Sequence, residues 1–431
     1  MSKNKLPKLV QDFIAKMERE NSPTAAEISK AIQARLEKMD DETRKVFKEL
    51  AEEVERSLGR EGFSTKFSTA EEQVEEARLS KVPKVPFPKE LAEQLGQYVK
   101  GQDHARRTVA IGVYQHYLRH QNPEIGGKSN ILLAGPTGCG KTEMARALGR
   151  ILDVPVHIAD ATGLTAHGYV GKDTDSILLG LLAACDYDRE KAETGIVFID
   201  EIDKKSKKTS TTGGPDVGGE SVQQALLKMI EGAEVEIEQA SPGMGKRSFK
   251  IDTSKILFIV GGAFVGLEKA IADRMNTGKT AYGHSASEVD FVEPSIALLP
   301  KLLPEDFSKF GIIPELIGRL PVLAALHALD ENHMLEILKE THDSVNIVSE
   351  NKRLFKEFGV ELQFEEKALQ HVAAYAVKQS KVGARGLRGA IHRLIEDASF
   401  ELPGSAKKRF RVTESLAQEK LVIDATTSQK K

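Results

Sequence analysis

The chain is organised around the segment Gly135-Pro136-Thr137-Gly138-Cys139-Gly140-Lys141-Thr142. This segment follows the apolar run Ile131-Leu132-Leu133-Ala134 and precedes Glu143-Met144-Ala145-Arg146-Ala147-Leu148, which has the composition of a helix start. A glycine-rich loop that ends in Lys-Thr between a strand and a helix is typical of phosphate-binding loops. The sequence therefore predicts a nucleotide site at this loop.

Each residue type in this loop suits phosphate chemistry. Glycines let backbone N–H groups turn toward phosphate oxygens at the positive end of a helix. Lys141 supplies a mobile positive charge, and the hydroxyl of Thr142 is a ligand type that Mg²⁺ prefers. We therefore predict ATP and Mg²⁺ as cofactors, with nucleotide contacts along the loop from Gly135 to Thr142.

Two carboxylates end a second apolar run. Residues 195–199 read as a buried parallel strand, and Asp200 and Glu201 follow directly. In open α/β sheets ligands bind at the carboxyl ends of the strands, so this pair is expected beside the phosphate loop. Asp200 is then a predicted Mg²⁺ ligand and Glu201 the predicted base for the attacking water. The alternative is a capping pair or an ordinary surface pair. For Asp203 we favour helix capping.

The alternation of apolar runs and helical patterns predicts the fold. Further strand-like runs lie at 154–160, 255–260 and 320–326. They predict an α/β doubly wound parallel sheet over residues 88–330, followed by a smaller, mainly helical domain over 331–425 with one strand-like piece near residue 361.

The amino-terminal part has a different character. Residues 1–60 read as three amphipathic helices, either a small helical domain or a module that docks a substrate or partner. Residues 61–87 read as a linker, and the tail 426–431 is polar.

Composition limits the class of protein. Of the 431 residues 40% are hydrophobic and 29% charged, which is ordinary for a globular protein. A net charge of -3 gives no general attraction to nucleic acid, so we expect no nucleic-acid partner. Only Cys139 and Cys185 carry thiols, which argues against a disulfide framework and against a zinc cluster. No apolar run is long enough to predict a membrane span, and we expect a cytoplasmic protein.

Residues from about 88 to 402 resemble the ClpX family of AAA+ protein unfoldases. The family's motifs occur in the family's order: Tyr98-Val99-Lys100-Gly101-Gln102, Ala159-Asp160-Ala161-Thr162, Gly168-Tyr169-Val170-Gly171, Ile199-Asp200-Glu201-Ile202-Asp203-Lys204, Val222-Gln223-Gln224-Ala225-Leu226-Leu227-Lys228, Gly261-Gly262-Ala263-Phe264, Ile317-Gly318-Arg319-Leu320-Pro321 and Gly383-Ala384-Arg385-Gly386. The resemblance implies an AAA+ ATPase that assembles as a homo-hexamer and acts on protein substrates.

The resemblance also assigns roles to single residues. Arg319 is implied as the finger that reaches the γ-phosphate of a neighbouring subunit, the alternative being a core-boundary ion pair. Arg385 is implied as a nucleotide contact that couples the nucleotide state to the angle between domains, the alternative being a plain salt bridge. Val99 and Lys100 lie in the turn that packs on adenine in many such ATPases.

Two loops are implied to contact the substrate. Tyr169 and Val170 match the family's pore loop, in which an aromatic side chain grips any polypeptide by apolar contact. Lys246 and Arg247 lie in a predicted hairpin that matches the pore entrance. Their charge would attract acidic tags, or they are part of a solvated turn.

The chain also departs from the family pattern. No four-cysteine zinc domain is possible with two thiols. The Ile-Gly-Phe tripeptide that docks on the ClpP peptidase is replaced by Lys279-Thr280-Ala281-Tyr282-Gly283-His284, so we predict that the chain does not dock on ClpP in the usual way.

Two classes of function remain open. The favoured one is an ATP-dependent unfoldase that threads polypeptides through a hexameric pore. The alternative is an AAA+ ATPase that remodels a nucleoprotein complex, or an unfoldase subunit of a noncanonical protease. For Cys139, helix-end electrostatics would favour a thiolate whose oxidation blocks ATP, although a small tolerated residue is the simpler interpretation.

Overall fold

The computed structural model describes residues 83–122, 124–164, 172–206, 219–241, 245–277, 295–378 and 382–422. Its centre is a five-stranded sheet in the order β2-β3-β6-β1-β7, in which every neighbouring pair is parallel. Helices flank this sheet, so the predicted α/β doubly wound fold is confirmed.

The strands are β1 (Ile131–Ala134), β2 (Val156–Asp160), β3 (Ile196–Asp200), β4 (Glu234–Ser241), β5 (Gly245–Asp252), β6 (Leu257–Gly262), β7 (Val322–Ala325), β8 (Glu361–Phe364) and β9 (Arg409–Val412). The α-helices are α1 (Pro88–Leu95), α2 (Asp103–Gln121), α3 (Lys141–Leu152), α4 (Lys172–Ala183), α5 (Arg189–Glu193), α6 (Gly219–Glu231), α7 (Leu267–Thr277), α8 (Ser295–Leu298), α9 (Pro304–Ser308), α10 (Pro314–Gly318), α11 (Glu331–Glu340), α12 (Ile347–Glu357), α13 (Glu366–Lys378), α14 (Arg385–Glu401) and α15 (Glu414–Lys420).

The central strands are apolar throughout because both faces of the sheet are covered. In β3, Val197 and Ile199 pack into one hydrophobic cluster while Ile196 and Phe198 pack into another. The same alternation occurs in β1 and β6. Strands buried on both sides cannot alternate apolar with polar residues, which is why they read as continuous apolar runs.

The carboxyl ends of these strands meet along one edge. Asp160 at the end of β2 is the register partner of Asp200 at the end of β3. The N–H of Gly135, just after β1, donates to the carbonyl of Gly262 at the end of β6 over 3.1 Å. The edge thus gathers the phosphate loop and the Asp-Glu pair.

The carboxyl-terminal part has its own hydrophobic core, formed by α11 to α15. It contains a two-stranded parallel sheet in which Leu362 of β8 pairs with Phe410 of β9. The sequence predicted only the first of these strands. A backbone hydrogen bond of 2.7 Å from the N–H of His342 to the carbonyl of Gln97 joins this part to the segment after α1.

An antiparallel hairpin of β4 and β5 stands where the sequence predicted one. Arg247 is the register partner of Gln239, and Lys246 of Ala240, which places both basic residues near the hairpin turn.

Several predictions fall on residues outside the described ranges: the helices of 1–60, most of the linker 61–87, Tyr169 and Val170, residues 279–284, and the tail 426–431. Within the described ranges, no helix is both long and apolar enough to span a membrane.

Candidate nucleotide site

The phosphate loop owes its shape to glycines in the left-handed region. Gly138 has a φ of 76° and Gly140 a φ of 109°, values that side chains with a Cβ rarely adopt. Gly140 is the N-cap residue directly before α3, and it supplies no side-chain cap. The first N–H groups of α3 therefore face the cavity without a capping partner from this residue, as in an anion-binding helix start.

Lys141 is held against its own loop. Its Nζ donates to the carbonyl of Gly135 over 2.5 Å and to that of Pro136 over 3.0 Å. The residue is only 8% exposed, yet its side chain lines the cavity. The loop carbonyls thus keep the ammonium hydrogen-bonded and close to the place where an anion would bind.

Thr142 and Asp200 are in direct contact. The Thr142 hydroxyl donates to Oδ2 of Asp200 over 2.9 Å, which joins the start of α3 to the end of β3. Hydroxyl and carboxylate oxygens are hard ligands of the kind that suits Mg²⁺. The donor set therefore fits the predicted metal ion.

Glu201 is placed by an unusual backbone turn. Its φ of 59° is in the left-handed region, which non-glycine residues seldom occupy and which recurs at functional sites. The N–H of Glu201 donates to Oδ1 of Asp200 over 2.9 Å, and its side chain is exposed at the cavity. The turn thus directs the second carboxylate toward the space beside the phosphate loop.

One cavity of about 710 Å³ collects most of the predicted site residues. Its lining includes Val99, Lys100, Thr137, Gly138, Cys139, Gly140, Lys141, Thr142, Asp200, Glu201 and Arg385. Gly135 and Pro136, the first two residues of the loop, are connected to the cavity through Lys141, whose Nζ donates to their carbonyls. Residues separated by almost three hundred positions therefore share one space.

The carboxyl-terminal part supplies one wall of this cavity. Arg385 opens α14, and the preceding N–H of Ala384 donates to the carbonyl of Gly138 over 3.1 Å. A Cβ on Gly138 would lie 2.3 Å from the carbonyl oxygen of Val382, so only glycine allows this approach. The phosphate loop and the start of α14 are thus in van der Waals contact.

Several lining residues were not predicted. Leu329, Ile337, Val345 and Ile347 give the cavity an apolar side, and Arg388 lines it while forming a bidentate ion pair with Glu350. In the sequence the apolar residues look like ordinary core, because helical periodicity shows burial but not what lies opposite. The Arg388 position, three residues after Arg385 on one helix face, was an available signal.

The turn that carries Val99 and Lys100 joins both parts of the chain. Tyr98 stacks on His342 with ring centroids 5.0 Å apart, and Arg150 lies over the same ring at 5.6 Å. Val99 is buried, and its Cγ1 would lie 3.1 Å from a Cβ on Gly140.

Gln102 ends the motif that begins at Tyr98, but no role was predicted for its side chain. It is buried, and its Nε2 donates to the carbonyl of His327 over 2.9 Å and to that of Cys139 over 3.3 Å. Its Oε1 accepts from the N–H of His327 over 3.1 Å. This amide therefore ties the phosphate loop to the segment after β7.

Electrostatics at the site differ from one expectation. Burial raises the pKa of the Cys139 thiol, although the nearby Lys141 acts in the opposite direction. The expectation that helix-end electrostatics favour a thiolate is therefore wrong, because desolvation outweighs them. At the cavity rim, a hydrogen bond from the Thr162 hydroxyl lowers the pKa of Asp160.

The expected capping role of Asp203 is also wrong. The short 3-10 helix Ile202–Lys205 starts after Glu201, and Oδ1 of Asp203 instead accepts from the N–H of Ala263 over 3.1 Å. This bond fixes the end of β6 against the residues that follow β3.

Arg319 lies away from the cavity. It is the residue after α10 and precedes β7, so it lies near the amino ends of the strands, opposite the phosphate loop. Its half-exposed guanidinium pairs with Glu231, Nε to Oε1 at 2.9 Å. The alternative role for Arg319 was an ion pair at the core boundary. The structure shows an ion pair, and both of its side chains lie on the surface.

Two families match this chain. The AAA domain of the Cdc48 subfamily matches residues 127–323, and the C-terminal D2-small domain of ClpB protein matches residues 329–409. The ATP-dependent Clp protease ATP-binding subunit ClpX of Bacteroides thetaiotaomicron is 43% identical over 349 residues, covering 78% of this chain and 82% of the relative. The chain belongs to the ClpX family.

Two other relatives have similar identities. ClpX of Treponema denticola is 44% identical over 334 residues, covering 74% of this chain and 78% of that protein. A subunit named ClpX 3 from Methylococcus capsulatus is 42% identical over 344 residues, covering 75% and 78%. As a ClpX-family member the chain is a nucleotide-binding AAA+ ATPase and an ATP-dependent unfoldase, which confirms the predicted class.

Proposed function

We propose that this ClpX-family chain assembles into a homo-hexamer and threads protein substrates through its axial pore by ATP hydrolysis. The observation that carries the proposal is the separation of Arg319 from the cavity of the same chain. β1 and β7 run side by side in register from Ile131 and Val322 to Ala134 and Ala325, with the phosphate loop at one end and Arg319 before the other. The first and last of four strand residues are about 10 Å apart, and Arg319 comes three residues earlier still, where its guanidinium is paired with Glu231, so it is out of reach of its own nucleotide. A complete site would then require a neighbouring subunit.

Within the cavity we assign roles by geometry and residue chemistry. Lys141 and the N–H groups at the start of α3 would bind the phosphates, while Thr142 and Asp200 would hold Mg²⁺, which neutralises phosphate charge when bound. Glu201 would orient and deprotonate the attacking water. Arg319 of a neighbour would supply positive charge to the transition state.

Arg385 is proposed to report the nucleotide state to the carboxyl-terminal part. Its helix begins next to the hydrogen bond between Ala384 and Gly138, so a phosphate in the loop would act directly on the start of α14. Hydrolysis would then change the angle between the two parts and move the substrate loops.

The roles of the substrate loops are proposed from the sequence. Tyr169 and Val170 are proposed to grip the polypeptide, and Lys246 and Arg247 to attract acidic segments at the pore entrance. Tyr169→Ala is expected to abolish unfolding while sparing ATP hydrolysis, whereas Tyr169→Phe, which keeps the ring, should retain unfolding. Equal unfolding by the alanine variant and the parent would contradict this role.

The relatives' printed name makes them subunits of a Clp protease. For this chain we propose that docking on the ClpP peptidase does not follow the usual route, because residues 279–284 lack the Ile-Gly-Phe tripeptide. Co-purification with ClpP that is lost when residues 279–284 are replaced would overturn this. The cytoplasmic location stays a prediction.

The deciding experiment uses the purified full chain and a tagged fluorescent protein. We expect ATP-dependent loss of fluorescence with the parent chain and none with Glu201→Gln, which keeps the side-chain volume but lacks the base. Loss of fluorescence that is the same with and without ATP, or the same in both proteins, would refute ATP-driven unfolding.

A further inference from the structure

The ion pair of Arg319 with Glu231 uses only one edge of the guanidinium. Both Nε and Nη2 of Arg319 lie 2.9 Å from the same oxygen, Oε1 of Glu231. No second carboxylate lies within ion-pairing distance of Arg319 among the residues that the structure describes. A guanidinium is planar and has five N–H donors, so the edge that includes Nη1 can bind an oxyanion while Nε stays on Glu231.

The backbone under this pair is fixed by buried polar contacts. Asn130, which is 1% exposed, donates from Nδ2 to the carbonyl of Arg319 over 3.1 Å and to that of Ile230 over 3.2 Å. Its Oδ1 accepts from the N–H of Phe258 over 3.2 Å. One side chain therefore joins the residue before Glu231 to Arg319 and to β6.

The end of α6 is further restrained by the half-buried side chain of a lysine. Lys128 donates from Nζ to the carbonyl of Ile230 over 3.0 Å and to that of Thr253 over 2.8 Å. Glu231 is the last residue of α6, so a guanidinium beside it also lies at the negative end of this helix. The carboxylate thus starts from a backbone that cannot shift easily.

We propose that Glu231 is a positioning residue, which holds Arg319 by its Nε edge so that the other edge is presented to the nucleotide of the neighbouring subunit. The proposal rests on the proposed function, since it needs Arg319 to act in trans. An arginine has several rotatable bonds, and a free side chain would reach the transition state in only a fraction of its conformations. Glu231 itself contacts no substrate.

The test is a double-mutant cycle on the assembled full chain, with ATP turnover measured for the parent, Glu231→Ala, Arg319→Ala and the double variant. Glu231→Ala should lower kcat about tenfold with KM for ATP unchanged, because Glu231 does not line the cavity. On the Arg319→Ala background the same change should alter kcat less than about twofold.

Matched variants separate positioning from folding. Glu231→Gln keeps an acceptor oxygen and should retain more turnover than Glu231→Ala. Glu234→Ala removes an exposed carboxylate nearby and should leave kcat unchanged, with all variants compared for assembly by size-exclusion chromatography.

The outcomes distinguish the two proposals. If Arg319→Ala alone turns over ATP at the parental rate, the trans role of Arg319 fails and Glu231 loses its role with it. If Arg319→Ala is impaired but Glu231→Ala is not, or if the Glu231→Ala effect is equal on both backgrounds, only the positioning role is overturned.

Discussion

Gly138 is the residue on which the contact between the phosphate loop and α14 depends. An alanine there would have to adopt a φ of 76°, and its Cβ would lie 2.3 Å from the carbonyl oxygen of Val382. We expect Gly138→Ala to weaken ATP binding at least about tenfold, because the left-handed strain and the clash together cost more than about 1.4 kcal/mol. Equilibrium binding of a fluorescent ATP analogue measures this.

Gly127 offers the matched control. A Cβ at Gly127 meets nothing within 4 Å, so Gly127→Ala should bind the analogue like the parent. Equal affinity of both variants would show that the close approach at Gly138 is dispensable.

Gln102 tests how far one buried amide supports the site. Gln102→Leu would leave the N–H and carbonyl of His327 and the carbonyl of Cys139 without this partner. We expect the free energy of unfolding to fall by about 2 to 4 kcal/mol, measured by chemical denaturation, with weaker nucleotide binding as a consequence. The exposed Gln97, changed to Leu, should cost far less, and equal losses would argue against the hydrogen bonds.

Single residues were predictable where chemistry restricts the choice of residue. Lys141, Thr142, Asp200 and Glu201 lie in short local motifs, and the structure brings them to one cavity. Gln102 also lies in a quoted motif, but the role of its side chain could not be assigned in this way, because its partners lie 37 and 225 positions away.

At the scale of elements, two histidines of α2 make the free energy of unfolding depend on pH. Burial lowers the pKa of His120 to about 4, and burial lowers the pKa of His116 well below its usual value. In the unfolded chain both titrate near 6.5. As pH falls from about 6.5 toward 4, the unfolded chain binds protons that the folded chain does not, so the free energy of unfolding decreases.

Replacing one of these histidines should therefore make the free energy of unfolding depend less steeply on pH in the acid range. Between pH 7 and pH 5 the free energy of unfolding should decrease less in His120→Gln than in the parent chain, by at most about 1.4 kcal/mol per pH unit. The exposed His104 lies on the same helix, and His104→Gln should keep the parental slope. Urea denaturation at several pH values compares the slopes, and identical slopes in all three proteins would contradict the assignment to His120.

Helices and strands were easier to predict from the sequence when more of their residues are buried. The strands of the central sheet are apolar at consecutive positions because both faces are covered, and the sequence showed them. β9 was missed because Arg-Phe-Arg-Val has one fully buried residue, Val412, and its pairing with β8 depends on chain 48 residues earlier. Such a strand exists through its tertiary partner rather than through its own pattern.

For the whole molecule, the proposed sharing of each site predicts complementation. Arg319→Ala and Glu201→Gln chains should each hydrolyse little ATP, and an equimolar mixture should regain activity at about a quarter of its sites, where an intact Glu201 meets a neighbour's intact Arg319. Steady-state ATP turnover after mixing and reassembly measures this.

The control mixture combines two variants, each of which lacks a residue that a subunit supplies to its own nucleotide pocket. Glu201→Gln mixed with Lys141→Ala leaves no site with both residues intact, so turnover should stay at the level of the separate variants. Recovery in both mixtures, or in neither, would contradict a finger that acts between subunits.

The opposite placement of Arg319 and the phosphate loop on one parallel sheet gives the proposed ring a direction. Each subunit would offer its arginine on one flank and receive a neighbour's arginine on the other, so the contacts run head to tail with a fixed rotational sense. A subunit that has lost Arg319 would keep its own nucleotide pocket intact. It would inactivate the pocket of the neighbour on one side only, and always the neighbour on the same side.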